Sequence, residues 1–328
     1  MIWSRFNTFE GIPCPTALGD VTLVVQVIPS LLVLSCVLLL AAFIRHSLRV
    51  DGFSNKCVFI TGCDSGFGNL LARRLDRKGL RVIAACLTEK GASDLSAAAS
   101  PALKTLMLDV TDSESIRRAA EFVSREVGER GLWGLVNNAG RSVPIGPTDW
   151  MQLEDFTKVL DVNLIGVIDV TLQFLPLLKK AQGRVVNVWG VEAFSDSLRR
   201  DMQHFGIKVS IIEPGFFKTG VTQLDLIEAD LRRLWTRLPQ DMLVMITFIC
   251  FYLSDVKAQE FSMGIFCCPD IAKVTRCMEH ALTARFPRTR YSAGWDAKLF
   301  WIPLSYLPSF VSDFNAAYFL CVTVFMLD

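Results

Sequence analysis

A glycine-rich turn in this chain has the residue types and spacing of a dinucleotide-binding site. The turn reads TGCDSGFG over residues 61–68; it follows a β-branched run at 57–61 and precedes a helical pattern. Gly62 allows the tight turn, Gly66 lets backbone N–H groups approach a pyrophosphate, and Gly68 permits close packing of the helix on the strand. Its position between a strand and a helix makes the motif more specific than the glycines alone. These residues therefore predict a binding site for the phosphates of a dinucleotide.

Short apolar strands alternate with amphipathic helical patterns on both sides of this turn. Strands are predicted at 57–61, 81–86, 105–110, 132–138, 184–188 and 208–213. This alternation implies right-handed βαβ crossovers and a parallel sheet covered by helices on both faces. The fold class predicted is α/β: one domain with a doubly wound, Rossmann-type parallel sheet.

Three further motifs follow: one at the end of the fourth predicted strand, one within the helical pattern at roughly 154–181, and one after the sixth strand. They are NNAG at 137–140, DVN at 161–163 and PGFFKT at 214–219. Together with the T-G-x-x-x-G-x-G turn they resemble the short-chain dehydrogenase/reductase family. The amino-acid sequence of residues 55–240 and 268–312 resembles the membrane-associated branch of that family, which contains retinol and 3α/17β-hydroxysteroid dehydrogenases. The family reaction is NAD(P)-dependent oxidation or reduction of a lipophilic alcohol or ketone.

The resemblance implies a role for each matching residue. The turn would line the coenzyme phosphates, residues 109–110 the adenine, residues 138–140 the ribose, and residues 214–219 the nicotinamide carboxamide. The full cofactor-binding set is Thr61, Gly62, Ser65, Gly66, Phe67, Gly68, Asp109, Val110, Asn138, Ala139, Gly140, Pro214, Gly215 and Thr219. Asn163 would match the family's helix-kinking asparagine, which orders a water of the proton relay.

The resemblance places the choice of coenzyme at the end of the second strand, near Cys86, Leu87 and Lys90. No acidic residue occupies the position there that usually binds the ribose 2′-hydroxyl of NAD. The branch resemblance favours NAD, and Lys90 leaves NADP as the alternative.

The catalytic Tyr-x-x-x-Lys pair of the family is absent from this chain. In that pair the lysine ammonium lowers the tyrosine pKa from about 10, so that the tyrosine acts as general base. The chain has four tyrosines, and none is followed four positions later by a lysine. The resemblance implies a longer segment, bearing a Ser, the Tyr and the Lys, in place of Trp189-Gly190. We therefore expect Asn163 to be the surviving member of the catalytic set and this chain to be catalytically impaired.

Polar side chains near this point do not offer a replacement. They are Lys179, Lys180, Arg184, Ser195, Ser197 and His204. Serines in a helix body are usually solvated or act as caps. We expect the two lysines and the arginine to face solvent and the histidine to be a surface or packing residue.

The overall composition gives no polyelectrolyte signal. With 34 basic and 33 acidic residues the net charge is +1, so nucleic acid is not an expected partner. The ten cysteines form no CxxC pair and have no histidine at ligand spacing. Scattered reduced thiols are therefore favoured over a disulfide framework or a metal site.

The uncharged apolar stretch at residues 21–44 predicts a transmembrane anchor. A helix of this length spans a hydrocarbon core of roughly 30 Å. The stretch is too long for a signal-peptide core, and Glu10 and Asp20 precede it. Basic residues follow it at 45, 49 and 56 against one before it, which places the large domain in the cytoplasm. The branch resemblance implies a single-pass protein of the endoplasmic reticulum membrane.

These features predict five segments: a polar lead (1–20), the anchor (21–44), a basic linker (45–55), the dinucleotide-binding domain (56–240) and a divergent C-terminal extension (241–328). The extension contains apolar runs at 242–253 and 314–327 that are too short to span a bilayer. A retinoid or steroid is the implied substrate, and a homo-oligomer the implied assembly, weakened by the missing segment. Two alternatives stay open for this chain: an inert, membrane-tethered nucleotide-binding pseudoenzyme and a non-functional splice product.

Overall fold

Two units make up the protein, whose computed structural model describes residues 17–142, 148–188, 191–220, 224–239, 264 and 267–314. The boundary between the units lies between Arg49 and Val50. In the first unit, helix α1 runs over Ala17–Ser47. Its segment Ile28–Ser47 has a mean hydropathy of 2.3 and is long enough to cross a membrane. The prediction of an N-terminal helix that is a candidate transmembrane span is confirmed, with its end at residue 47 rather than 44.

The second unit contains a parallel sheet of seven strands in the order β3-β2-β1-β4-β5-β6-β7. The strands are β1 (Cys57–Ile60), β2 (Arg81–Cys86), β3 (Lys104–Met107), β4 (Gly134–Asn137), β5 (Arg184–Val188), β6 (Lys208–Pro214) and β7 (Arg290–Ala293). All residues of β1, β4 and β5 are buried, which explains why these strands read as unbroken runs rather than as alternating patterns. The strand order reverses between β1 and β4, which is where ligands bind in open α/β sheets.

Helices cover both faces of this sheet. The described helices of this unit are α2 (Gly66–Arg77), α3 (Glu89–Ala97), α4 (Ser113–Val127), α5 (Leu153–Leu160), α6 (Gly166–Ala181), α7 (Glu192–Asp201), α8 (Leu224–Trp235), α9 (Ala272–Thr283) and α10 (Ile302–Ser305). One core lies between the sheet and α2 and α9, and includes Leu71 and Met278. The other lies against α4 and α6, where Phe174 stacks on Phe59 at 4.6 Å between ring centroids. This two-faced packing confirms the doubly wound α/β fold.

A second stretch, Leu153–Ala181, is also apolar and long enough to cross a membrane. It comprises α5, a π-helical turn and α6. Phe174 and Leu178 of this stretch are fully buried in the core beside the sheet. One face of α6 is therefore part of the core, which accounts for part of the apolar character of the stretch.

Strand β7 comes from the region that the sequence assigned to a C-terminal extension. It pairs with β6 over residues 211–214 and 290–293, and α9 packs beside it. Residues 267–293 thus complete the sheet beyond the expected boundary at 240. The apolar run at 242–253 and residues 315–327 of the second run lie outside the described residues.

The expectation that Arg184 faces solvent is wrong. Its side chain is 2% exposed and donates to the carbonyl oxygens of Ala281 and Ala284 at 2.9 and 2.7 Å. Its guanidinium lies 4.5 Å from the ring centroid of Trp133. Burial lowers the pKa of Arg184 to about 10. Arg184 is the first residue of β5. Its side chain is covered by the carboxyl end of helix α9 and by Trp133 rather than by water.

Candidate functional site

The turn between β1 and α2 has a backbone that only glycine fits at two positions. Gly62 has φ 69°, and a Cβ there would lie 2.7 Å from Ala139 Cα. A Cβ on Gly68 would lie 2.4 Å from the carbonyl oxygen of Gly62. The turn therefore lies close to the end of β4, and the amino end of α2 borders the cavity above it, where its unpaired N–H groups favour an anion.

Thr61 and Asn138 join the ends of β1 and β4. The Thr61 hydroxyl accepts the backbone N–H groups of Asn138 and Ala139, both at 3.0 Å. In return, the Asn138 amide donates to the carbonyl oxygens of Thr61 and Gly62, both at 3.0 Å. These four bonds fix the base of the cavity before any ligand arrives.

This cavity has a volume of about 510 Å³ and brings together most of the predicted cofactor-binding residues, so we call it the coenzyme cavity. Those lining it are Gly62, Ser65, Gly66, Phe67, Asp109, Val110, Asn138, Ala139, Gly140 and Thr219. Thr61 and Gly68 support the turn from below. Pro214 and Gly215 line the neighbouring cavity described below.

Asn163 lies in a π-helical turn, Asp161–Ile165, between α5 and α6. Its amide oxygen accepts the backbone N–H of Arg141 at 2.8 Å, and its amide nitrogen donates to the Arg141 carbonyl oxygen at 2.7 Å. Val162 and Arg141 border the coenzyme cavity. The asparagine thus holds the loop after β4 against an irregular turn of the helix, at the rim of the cavity.

A second, larger cavity of about 900 Å³ adjoins the first. Phe67 and Thr219 line both cavities. Its other apolar lining residues include Pro214, Phe216, Phe217, Ile227, Trp301 and Ile302. We call it the apolar cavity; its volume and lining are those of a site for a lipophilic small molecule.

Asp296 fixes the loop at the junction of the two cavities, and the sequence motifs gave no signal for it. Its carboxylate is fully buried and accepts the backbone N–H of Phe216 at 2.7 Å. A Cβ on Gly215 would lie 2.1 Å from the same carboxylate. Gly215 is therefore required for this close approach, and the loop that follows β6 is held by a residue eighty positions later.

Helix α7 is held by an ion cluster at its amino end and by a buried polar chain further along. Arg290 lies 2.8 Å from Glu192, 3.0 Å from Asp196 and 2.9 Å from Glu213. Within the helix, Ser195 is 1% exposed, and its hydroxyl accepts from the Asn187 amide at 2.8 Å. Asn187 in turn accepts from the Asn137 amide at 2.8 Å.

The predicted place of the missing Ser, Tyr and Lys, Trp189-Gly190, lies outside the described residues. The expectation of a solvated or capping serine is wrong for Ser195, which is buried and bonded to Asn187, away from both cavity linings. His204 and the lysines 179 and 180 are exposed, as expected.

Two of the four tyrosines fall in the part of the chain that the structure describes. The Tyr291 hydroxyl lies 2.7 Å from His280 Nδ1 and accepts the backbone N–H of Arg288 at 2.9 Å. Burial raises the pKa of Tyr291. Tyr306 is 85% exposed and borders the apolar cavity. Tyr291 is thus a packing residue, and Tyr306 is followed four positions later by Phe310, not by a lysine.

An acidic side chain does stand at the end of β2, but it comes from the glycine-rich turn. Asp64 accepts the backbone N–H of Leu87 at 2.8 Å, and the backbone N–H and hydroxyl of Thr88 at 2.9 and 2.7 Å. Asp64, Leu87 and Thr88 all line the coenzyme cavity. Lys90, expected nearby, points to Asp94 and is 85% exposed. The positions that follow β2 hold no acidic residue, as the sequence indicated, and the carboxylate beside them comes from Asp64.

A family model described as short chain dehydrogenase matches residues 56–227, which is more than half of the chain. The chain belongs to the short chain dehydrogenase family. The family fold and the cavity described above support a nicotinamide coenzyme as the cofactor of this chain.

Curated relatives narrow the placement of this short chain dehydrogenase. It is 55% identical to Retinol dehydrogenase 7 of Rattus norvegicus over 287 residues, which cover 82% of this chain and 90% of that protein. It is 53% identical to human Retinol dehydrogenase 5, over 79% of this chain and 87% of that protein. It is 48% identical to human 17-beta-hydroxysteroid dehydrogenase type 6, over 82% and 90%. The resemblance to the retinol and hydroxysteroid branch is confirmed.

A solved short-chain dehydrogenase from Streptomyces avermitilis has the same fold. The TM-score is 0.58 at 23% sequence identity, and the match covers 80% of this chain and 97% of that one. The likeness extends the agreement in fold to a distant member of the short chain dehydrogenase family.

Proposed function

We propose that this chain binds a nicotinamide coenzyme beside a lipophilic alcohol or ketone, and that it is catalytically impaired. The observation that carries the proposal is an ordered coenzyme cavity next to a large apolar cavity, in a chain without Tyr-x-x-x-Lys. The family reaction is NAD(P)-dependent oxidation or reduction of such a substrate, and the coenzyme supplies or accepts the hydride when bound.

The residues around the coenzyme cavity fit a dinucleotide. Gly62 and Gly68 let the turn pack against the end of β4, since a Cβ at either position would meet Ala139 or Asn138 there and displace the turn that would hold the pyrophosphate. Asp109 and Val110 would lie against the adenine, and Asn138, Ala139 and Gly140 beside a ribose. Pro214, Gly215 and Thr219 would hold the carboxamide end, where the two cavities meet. NAD is the coenzyme we propose, with NADP as the alternative.

The apolar cavity supports a retinoid or a steroid as the bound substrate. Its aromatic and aliphatic lining suits a molecule with few polar atoms. The relatives named above are retinol dehydrogenases and a 17-beta-hydroxysteroid dehydrogenase. Both substrate classes carry one reactive hydroxyl or ketone on a large hydrocarbon body.

Catalysis would fail at proton transfer. Asn163 lies at the cavity rim, where it would keep its family role of ordering a relay water. An alcohol oxidised by hydride transfer must also lose its hydroxyl proton, and a general base typically contributes about 10²–10⁴-fold to such a step. The chain has no tyrosine with a lysine four positions later to take that proton.

The setting we propose is the endoplasmic reticulum membrane, with α1 as a single-pass anchor and the large domain in the cytoplasm. The apolar helix Ile28–Ser47 and the basic residues that follow the apolar stretch support this. A membrane setting suits a substrate that partitions into lipid. The segment boundaries at 20, 44, 55 and 240 and a homo-oligomer weakened by the missing segment are parts of the same proposal.

The alternative is an inert, membrane-tethered pseudoenzyme that binds nucleotide alone, or a non-functional splice product. The absence of the catalytic segment supports the pseudoenzyme and the splice product equally. They differ from the main proposal in what the chain binds, because a splice product that does not fold would bind neither ligand.

The test uses the full chain solubilised in detergent. We expect saturable NADH binding, saturable binding of retinol or of a 3α-hydroxysteroid, and no turnover of either with NAD or NADP above that of a Gly66→Asp/Gly68→Asp double variant. Turnover well above this control would refute the impairment. Coenzyme binding without alcohol binding would support the pseudoenzyme, and absence of both with no cooperative unfolding would support the splice product.

A further inference from the structure

We infer that Asp64 selects NAD(H) over NADP(H), by accepting a hydroxyl of the adenosine ribose and repelling a 2′-phosphate. The inference rests on the proposed function only in requiring that a dinucleotide occupies the coenzyme cavity. Asp64 belongs to the turn between β1 and α2, yet its carboxylate lies at the end of β2.

The sheet explains how a residue of one turn reaches the end of another strand. β1 and β2 are parallel neighbours, with Ile60 opposite Ala84, so both strands end at the same edge. The segment after β3, with Asp109 and Val110, lines the same part of the cavity. Asp64 is therefore on the adenosine side, whereas Asn138 and Arg141 follow β4 on the other side of β1.

The hydrogen bonds of Asp64 leave room for one more donor. Its Oδ1 accepts the backbone N–H and the hydroxyl of Thr88, and its Oδ2 accepts the backbone N–H of Leu87. A carboxylate has about four lone-pair sites, so Oδ2 retains one. Because Asp64 also lines the cavity, this site suits a ribose hydroxyl, which can donate a hydrogen bond. It does not suit a 2′-phosphate, which at neutral pH is largely a dianion with acceptor oxygens only.

No described basic side chain offsets this charge on the adenosine side of the cavity. Lys90 does not line the cavity and pairs with Asp94 in solvent. Arg141 is the basic residue among the described lining residues, and it follows β4 on the far side of β1. A 2′-phosphate would therefore face the Asp64 carboxylate without a nearby cation, and like charges repel strongly in a partly buried site.

Gly91 of helix α3 keeps the Asp64 carboxylate in this position. A Cβ on Gly91 would lie 2.5 Å from Asp64 Oδ1 and 2.9 Å from Asp64 Cβ. The Gly91 backbone N–H donates to the Thr88 hydroxyl at 3.0 Å, and that hydroxyl donates to Asp64. A side chain at position 91 would displace the carboxylate without removing its charge from the chain.

The test measures the dissociation constants of NADH and NADPH for the full chain in detergent, by coenzyme fluorescence. We expect NADH to bind at least about tenfold more tightly than NADPH, which corresponds to about one strong charge contact. Asp64→Asn should reduce this ratio by about tenfold or more, chiefly through tighter NADPH binding. Glu89→Gln is the matched control: it removes an exposed carboxylate from the same chain segment, off the cavity lining, and should leave the ratio unchanged.

Two further measurements keep the inference testable if Asp64→Asn does not fold. Gly91→Ala should also reduce the NADH preference, and it should not disrupt the helix, since alanine is a better helix former than glycine. On the unaltered chain, 2′,5′-ADP should compete with NADH less well than 5′-ADP does. Equal affinity for both coenzymes, or an unchanged ratio in Asp64→Asn and Gly91→Ala, would overturn the inference and leave the proposed function standing. Binding of neither coenzyme by the parent chain would overturn both.

Discussion

The guanidinium of Arg290 lies 2.8 Å from the carboxylate of Glu192, and this contact joins strand β7 to the first turn of helix α7. Glu192 stands four positions after the last residue of β5, beside the predicted place of the missing catalytic segment. Arg290 also holds Asp196, one turn further along α7, and Glu213 of β6. One cation thus fixes the amino end of α7 to the two last strands of the sheet.

Arg290→Met should destabilise the domain by about 1 to 2 kcal/mol, since three carboxylates lose their shared partner and repel one another. The side chain of Arg290 is 38% exposed, so solvent screening keeps the loss at the low end of that range. Urea denaturation of the detergent-solubilised chain measures the change in the free energy of unfolding. Arg118→Met is the control, because its ion pairs are longer and 60% exposed at the arginine, and should change stability by less than about 0.5 kcal/mol. Equal effects of the two substitutions would contradict the role of Arg290.

Gly68→Ala should abolish NADH binding or raise its dissociation constant by about a hundredfold. The added Cβ would lie 2.4 Å from the Gly62 carbonyl oxygen and 2.5 Å from the Asn138 amide, so the turn must move. Fluorescence titration with NADH gives the affinity. Gly220→Ala serves as the control at the same cavity, because among the described residues its added Cβ meets the Ser65 hydroxyl alone, at an ordinary 3.6 Å. If Gly68→Ala keeps the parent's affinity for NADH, the turn is not part of the coenzyme site.

Trp301→Ala should weaken the binding of retinol or a 3α-hydroxysteroid about tenfold and leave NADH affinity unchanged. Trp301 lines the apolar cavity and lies 5.9 Å from Phe216 between ring centroids, so its loss removes part of the apolar wall. Ligand titration followed by fluorescence measures both affinities in one preparation. Leu299→Ala removes a side chain that is 75% exposed and off the cavity lining, and should change neither. A Trp301→Ala chain with the parent's affinity for the alcohol would place the ligand elsewhere.

Asp155→Asn should reduce stability at neutral pH by about 1 to 3 kcal/mol, and the difference should shrink in acid. The Gln152 backbone N–H and the Arg237 guanidinium outweigh burial and hold the pKa of Asp155 below its ordinary value of 3.8. A carboxyl with a lowered folded-state pKa stabilises fully above its unfolded pKa, and the contribution is lost as the pH falls through the folded value. Unfolding free energies of parent and variant between pH 7 and 3 should therefore differ by a constant amount until about pH 5 and converge below pH 4. A difference that grows with acidity would show the opposite sign of the pKa shift.

Much of the fold follows from local sequence signals. The strand predicted at residues 184–188 is β5, residue for residue, and the one predicted at 57–61 is β1 with one residue fewer. Apolar runs bounded by glycine depend on neighbours in the chain, so they can be read without the structure. The cofactor-binding residues gather at one edge for the same reason, because parallel strands end together.

The residues that sequence reasoning missed act across long separations. Asp64 meets Thr88 twenty-four positions later, and Asp296 meets Phe216 eighty positions earlier. Strand β7 reads RYSA, which has no clear apolar run, and becomes a strand because β6 offers it an edge. Arg184 is buried because α9, almost a hundred positions later, brings the carbonyl oxygens of its last turn to it. Pairing partners of this kind depend on topology, which no local pattern contains.

The buried bond from Asn187 to Ser195 has a consequence for protein engineering. It sets the rotation of helix α7 from within the helix, through a chain of amides that reaches Asn137 of β4. Contacts of Asn187 and Ser195 thus orient the buried face of the helix. Loops of different length and sequence can be grafted at this position, and the sheet and helix should keep one alignment while the graft supplies new groups beside the apolar cavity.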